Sequence, residues 1–290
     1  MANGAFIHRS TWASRPRPKG AVAGEGKMTD IAITGAAGRM GRRLITLARE
    51  AAIFRIVGAV VRPGHPLIDR DAGEVAGIGP IGLPISFDLK PTPDVIIDFT
   101  APPAMRHWLK VCRDRGIAMV IGTTGLHRVD HAAIDVAAET IPVLQAPNMS
   151  LGVNVMFKIA GELAKLLGDD YDVEIVEAHH RFKKDAPSGT ALGLADSILV
   201  ATGRSREMLV SGRHGDDVPR KRGEIGMHSL RLGDETGRHT VSFGTLGERL
   251  ELTHVATNRD TFVHGALRAA EWLAKQKPGR YSISDVLGLK

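Results

Sequence analysis

The chain has 290 residues, 43% of them hydrophobic, enough to bury the core of one large domain or two ordinary ones. A single cysteine, Cys112, excludes an internal disulfide framework and a cysteine zinc site, and fits a reducing cytoplasm. Most of the formal charge of +6 lies in residues 1–27, whose balance of +4 leaves +2 for the other 263 residues, so the basic excess makes no case for a nucleic-acid partner.

The first segment, "MANGAFIHRSTWASRPRPKGAVAGEGK", has no apolar stretch of the kind a secretory signal needs, and Met28 immediately precedes the first good strand. We read residues 1–27 as a disordered basic extension. An Arg-rich, acid-poor leader also fits a transit peptide, and an over-long start is a third reading. The longest apolar runs, such as "VIIDF" and "MVIG", are strand-sized, so no membrane span is expected.

From Met28 onward, short apolar runs alternate with helical periodicity: "DIAITG", "RMGRRLITLAREA", "FRIVGAVV", "DVIIDFT", "AMRHWLKVCRDRG", "IAMVIGTTG", "HAAIDVAAE" and "IPVLQAPN". Strands buried on both faces with helices between them predict an α/β fold, a doubly wound parallel sheet reaching to about residue 150. "LGVNVMFKIAGELAKLLG" follows as an amphipathic helix, "YDVEIVEAHH" as a strand, and "GTALGLADSILVATG" as a helix ending at Gly203. Beyond residue 205, polar/apolar alternation broken at "GDETG" and "TLGE" predicts an antiparallel meander, hence a second, α+β domain. The last helix, "DTFVHGALRAAEWLAKQ", is amphipathic and fits against either domain.

"IAITGAAGRMGRRLI" puts Gly35, Gly38 and Gly41 between a strand and a helix. Such a turn brings backbone and an open helix N-terminus close to a pyrophosphate, although a tight ligand-free turn would use the same glycines. The residue that reads the adenosine ribose belongs about 20 positions further on, after the second strand, where Arg62 stands and no acid does. An arginine there suits the 2′-phosphate of NADPH; the alternative is a solvated strand-end cation. "GTTG", from Gly122, and "APNM", Ala146 to Met149, fall where the ligand crevice of an open α/β sheet is expected, towards the nicotinamide end.

"VEAHHRFKKDAPSGTA" crowds two histidines and three cations ahead of a helix start. Adjacent strand residues face opposite ways, so His179 and His180 do not share a metal unless the strand ends there, and no metal site is predicted. Arg181, Lys183 and Lys184 beside "SGT" make a pocket for an anion such as a carboxylate-rich substrate. A histidine there can transfer protons, and a lysine can donate one. A solvated loop with Ser188 as N-cap and Asp185 paired to Lys183 is the competing reading. Hydride chemistry needs both a proton source and a substrate anchor, and this motif supplies both, which favours the functional reading.

The stretch "EIVEAHHRFKKDAPSGTA" resembles the signature of the 4-hydroxy-tetrahydrodipicolinate reductase family, and "GAAGRMG", "VIIDFT", "VIGTTG", "APNMSLGVNV", "GERLELTHVATNRDTFVHGALRAAEWL" and "DVLGL" match in the same order over residues 28–290. The resemblance implies an NAD(P)H-dependent reductase of diaminopimelate and lysine biosynthesis, acting on a small cyclic dicarboxylate. Its implied architecture is a Rossmann-type domain, residues 28–150 completed by 259–290, and a substrate-binding and oligomerisation domain, residues 151–258, on an open mixed sheet, usually in a homotetramer. By position, His179 resembles the proton donor/acceptor and Lys183 the proton donor, while His180, Gly189 and Thr190 resemble the groups that hold the dicarboxylate. Gly35, Ala36, Ala37, Gly38, Arg39 and Met40, with Gly122, Thr123, Thr124, Ala146, Pro147, Asn148 and Met149, resemble cofactor contacts. The chain departs from members that carry an acid and an arginine after the second strand and use both cofactors, which leaves NADPH preferred over NADH. Aspartate-semialdehyde dehydrogenase-like chemistry would need a thiolate, and Cys112 falls inside a predicted helix. A nucleotide-sensing regulator that keeps the fold without turnover is the non-enzymatic alternative.

Overall fold

A computed structural model describes residues 27–289; all of the N-terminal extension except Lys27 lies outside the described residues. The first layered unit runs β1 (Thr29–Thr34), α1 (Arg39–Glu50), β2 (Phe54–Val60), α2 (Ala72–Ala76), β3 (Ile85–Ser86), β4 (Val95–Asp98), α3 (Pro102–Arg115), β5 (Ala118–Ile121), α4 (Arg128–Ala138) and β6 (Pro142–Gln145). The second runs α5 (Leu151–Leu167), β7 (Asp172–His179), α6 (Gly189–Thr202), β8 (Leu209–Ser211), β9 (Ile225–Arg231), β10 (Arg238–Thr245) and β11 (Glu248–Val255). The chain closes with α7 (Asp260–Leu273), β12 (Gly279–Tyr281) and α8 (Ile283–Leu287).

Seven parallel strands form the first sheet in the order β12-β6-β5-β4-β1-β2-β3. The order reverses between β1 and β4, the point where loops at the strands' carboxyl ends part and leave a crevice. Ile31, Ile33, Ile96, Ile97, Val120 and Leu144 are fully buried, the double-sided burial that the apolar runs predicted. The last segment packs on this same sheet: Val263, Ala266, Ala270 and Leu273 of α7 and Ile283 of α8 share one core with Ile31, Ile33 and Leu44. Gly265 allows that fit, because a Cβ there would lie 1.7 Å from the Met149 carbonyl oxygen.

Helix ends follow their local chemistry. Helix α3 starts two residues ahead of its apolar pattern because Pro102 needs no N–H in a first turn, and Gly116 ends it in the left-handed region. Ser150 and Ser188 cap α5 and α6 by accepting from the backbone N–H of Val153 and Ala191.

The second sheet is mixed, in the order β11-β10-β7-β9-β8. This corrects the meander expectation. Only β10 and β11 form a hairpin, Thr245 facing Glu248 across Leu246–Gly247. Strands β9 and β10 are not neighbours, since β7 lies between them, parallel to β9 and antiparallel to β10. Alternation marks a strand but not its partner, so the "GDETG" break reads as a hairpin whether or not its flanking strands pair. Val173, Ile175, Ile225, Met227, Val241 and Phe243 bury the inner face against α5 and α6. Among the described residues, no helix is long and apolar enough to cross a membrane.

Candidate active site

Two adjoining clefts open at the reversal point of the first sheet. One, of about 540 Å³, is lined by Gly35, Ala37, Gly38 and Arg62 from the ends of β1 and β2. Its neighbour, of about 410 Å³, is lined by Arg39, Met40, Gly122, Thr123, Thr124, Pro147, Asn148 and Met149. Phe99 and Thr100, which follow β4, wall both. Ala36 and Ala146 lie beside this groove with their methyl groups in the core, so they offer it backbone only.

The groove fits a dinucleotide. Gly38, the N-cap of helix α1, has no side chain to cap it, which leaves the N–H groups of the first turn open to a phosphate, unlike α5 and α6. The close turn demands Gly41, where a Cβ would sit 2.2 Å from the Gly35 carbonyl oxygen. Arg62 is exposed on the rim, without an ion-pair partner among the described residues, and no carboxylate lines its cleft.

Beneath the groove lies a residue that sequence reasoning passed over. Asp98 ends β4 fully buried and accepts from the hydroxyls of Thr34 (2.5 Å), Thr100 (2.7 Å) and Thr123 (2.5 Å). It thereby ties the end of β1 to the loops after β4 and β5. The signal was present, because an acid at the end of an apolar strand has to find donors if it is buried.

The second cluster is built by β7. Side chains two apart share a face, so Glu177 and His179 both point inward beyond Val173 and Ile175. Register sets His239 of β10 opposite Glu177 and Arg231 of β9 opposite His179. The Glu177 carboxylate is completely buried and receives His179 Nδ1 at 2.5 Å, the Ser188 backbone N–H at 3.1 Å, and both Nη atoms of Arg231 at 2.9 and 2.8 Å. Burial pushes its pKa up, but the hydrogen bonds from Arg231 and His179 outweigh burial and hold it at about 2. Burial also depresses His179, against the pull of Glu177. Deeper in, His239 falls to about 4, chiefly through burial, and meets Ser188 Oγ through Nε2 at 3.1 Å.

Strand β7 ends at His179, so His180 already belongs to the turn, half-buried, with the exposed Phe182 6.3 Å away. Lys183 is largely covered and pairs with Asp185 at 2.9 Å, and Ser188 does cap α6, as the competing reading had it. Neither contact removes Lys183 or the exposed Gly189 N-terminus from use by a ligand. Thr190 Oγ1 accepts from Asn148 Nδ2 at 3.0 Å, which joins this cluster to the dinucleotide groove. Arg181 and Lys184 stay exposed, away from the cluster's buried bonds. Glu177, Arg231 and His239 were not singled out from sequence. Glu177 stood two residues before His179, the spacing that shares a strand face, whereas Arg231 and His239 required the strand partners.

Cys112 is fully buried in α3, and desolvation pushes its thiol far above the ordinary range, so it offers no thiolate for acyl chemistry.

Comparison with known proteins agrees with these features. The family models described as "Dihydrodipicolinate reductase, N-terminus" and "Dihydrodipicolinate reductase, C-terminus" match residues 29–149 and 152–287. A 4-hydroxy-tetrahydrodipicolinate reductase of Alkalilimnicola ehrlichii is 51% identical over 265 residues, covering 90% of this chain and 99% of that one. Its counterpart in Citrifermentans bemidjiense is 49% identical, covering 91% and 100%. A solved structure, a dipicolinate-bound dihydrodipicolinate reductase from Paenisporosarcina sp. TG-14, superposes with a TM-score of 0.69 at 25% identity, covering 88% of this chain and 97% of that one. With both halves matched and half of its residues shared with such relatives, the chain belongs to the 4-hydroxy-tetrahydrodipicolinate reductase family.

Proposed function

We propose that the chain reduces 4-hydroxy-tetrahydrodipicolinate to tetrahydrodipicolinate with loss of water, in diaminopimelate and lysine biosynthesis, using NADPH in preference to NADH. The observation that supports this reading is the Asn148–Thr190 hydrogen bond, which joins the groove to the His179–Lys183 cluster, the group to which we assign proton transfer and anion holding. The dipicolinate held by the Paenisporosarcina relative is a cyclic dicarboxylate of the same kind.

When bound, the nicotinamide supplies the hydride. The chain's part is to bind and to move protons. Gly35 to Met40 and the open N-terminus of α1 hold the pyrophosphate, Arg62 pairs with the 2′-phosphate, and Gly122 to Thr124 with Ala146 to Met149 flank the nicotinamide end. His180, the Gly189 N–H and Thr190 hold the substrate carboxylates, aided by the dipole of α6. Loss of water takes one proton from the ring and gives one to the leaving hydroxyl, and hydride addition to the ring carbon calls for one more. His179, through Nε2, and Lys183, through Nζ, are the groups we assign to move them.

In this reading residues 28–150 with 259–290 form the dinucleotide domain, and 151–258 the substrate and oligomerisation domain. The homotetramer would form through the outer face of the second sheet, where Leu230 and Val255 are exposed. A single, reduced cysteine favours the cytoplasm. The test is NADPH oxidation with the freshly generated product of the preceding synthase, repeated with NADH. Absence of substrate-dependent oxidation with both cofactors would refute the assignment.

A further inference from the structure

We propose that Glu177 is the positioning residue of this site: it fixes the tautomer and ring orientation of His179, and the Arg231 fork holds it in place. The inference rests on the assignment of His179 as a proton-transfer group. Glu177 has no solvent exposure, and a buried carboxylate without compensating donors would be strongly unfavourable. Arg231 answers that with two parallel bonds, a planar match that lysine could not reproduce. What remains of the carboxylate accepts from His179 Nδ1 and from the Ser188 N–H. One group thus sets the spacing between the proton-transfer ring and the turn that carries Gly189 and Thr190.

A carboxylate only accepts, so neutral His179 carries its proton on Nδ1 and leaves the Nε2 lone pair free. The other charged or titratable groups around the ring, Lys183, Arg231 and His239, offer no competing anionic acceptor for Nδ1. The ring also packs edge-to-face on His239, centroids 5.1 Å apart, and lies so close to Gly237 that a Cβ there would come within 3.2 Å of Nε2.

Glutamine is the informative replacement because it keeps the shape. Arg231 donates to both oxygens, but the Ser188 N–H cannot change roles and the imidazole can, so the single carbonyl should take the Oε1 position; the amide then gives up the Arg231 Nη1 bond, donates to His179 Nδ1 and forces the proton onto Nε2. The experiment is nitrogen-15 NMR of the imidazoles in the full chain, with the His179 signals assigned by their loss in H179Q, beside steady-state kinetics of E177Q. Expected are an Nδ1–H tautomer in the wild type, an Nε2–H tautomer in E177Q, and a kcat lower by roughly 10- to 10²-fold with a smaller change in substrate KM. A wild-type His179 protonated on Nε2, or an E177Q variant that keeps both tautomer and kcat, would overturn the proposal. If E177Q does not fold, the wild-type tautomer alone decides. Normal turnover in H179Q would defeat the catalytic assignment and leave the tautomer result standing, so the two failures are separable.

Discussion

Asn148 Nδ2 donates to Thr190 Oγ1 at 3.0 Å across 42 positions of sequence. The amide is itself held, since its Oδ1 accepts from the Ser150 N–H at 2.8 Å, and the Asn148 backbone carbonyl accepts from Asn154 Nδ2 at 2.9 Å. A doubly anchored residue at the groove thereby orients a hydroxyl in the first turn of α6. We expect Asn148→Ala and Thr190→Val each to raise substrate KM, and the double variant to lose less than the sum, with a coupling of about 0.5–3 kcal/mol in kcat/KM. Additive losses would show that the bond carries no coupling.

His179→Gln and Lys183→Ala should each lower kcat by roughly 10²-fold or more, the scale of lost acid–base assistance. Steady-state turnover on the freshly prepared substrate measures this. Near-normal rates in both variants would end the assignment of proton roles.

Arg62 should select the cofactor. If Arg62 pairs with the 2′-phosphate as proposed, Arg62→Ala would remove a charge-assisted contact worth about 1.5–3 kcal/mol, so KM for NADPH should rise roughly 10- to 10²-fold while that for NADH stays nearly constant. A wild-type enzyme with the tighter KM for NADH would contradict the preference.

Asp98 holds the groove's loops from below. In Asp98→Ala, the buried hydroxyls of Thr34 and Thr123 and the half-buried one of Thr100 lose their closest acceptor, which should destabilise the fold by about 2–4 kcal/mol and weaken cofactor binding. Urea denaturation and cofactor titration check the two effects separately. An unchanged midpoint would mean that water replaces the carboxylate.

His239 should make the protein acid-sensitive. Its folded pKa of about 4 lies below the ordinary 6.5, so on acidification the unfolded chain takes up the proton first. Its contribution is therefore present above pH 6.5 and lost as pH falls towards 4, on the order of 3 kcal/mol in all. The depressed His179 and His254 act in the same direction. Denaturant midpoints measured through this window should fall, and His239→Gln should flatten the slope. A midpoint insensitive to pH would show that His239 titrates normally.

Local pattern was enough for much of this molecule. Runs apolar on both faces with helical periods between them specify a parallel doubly wound sheet, because only strands covered by helices on both sides bury such runs. The glycine turn after β1 was also readable, and the Glu177–His179 spacing was there to be read though it was passed over, since strand and turn geometry act over a few residues. Strand partners were not. Placing β7 between β9 and β10 depends on which edges meet, and that step brings Arg231 and His239 to Glu177 from 54 and 62 residues away. The direction of each pKa shift likewise waited on burial: the sequence shows ionisable groups, but only the packed structure sets how much water each keeps and which charges it faces.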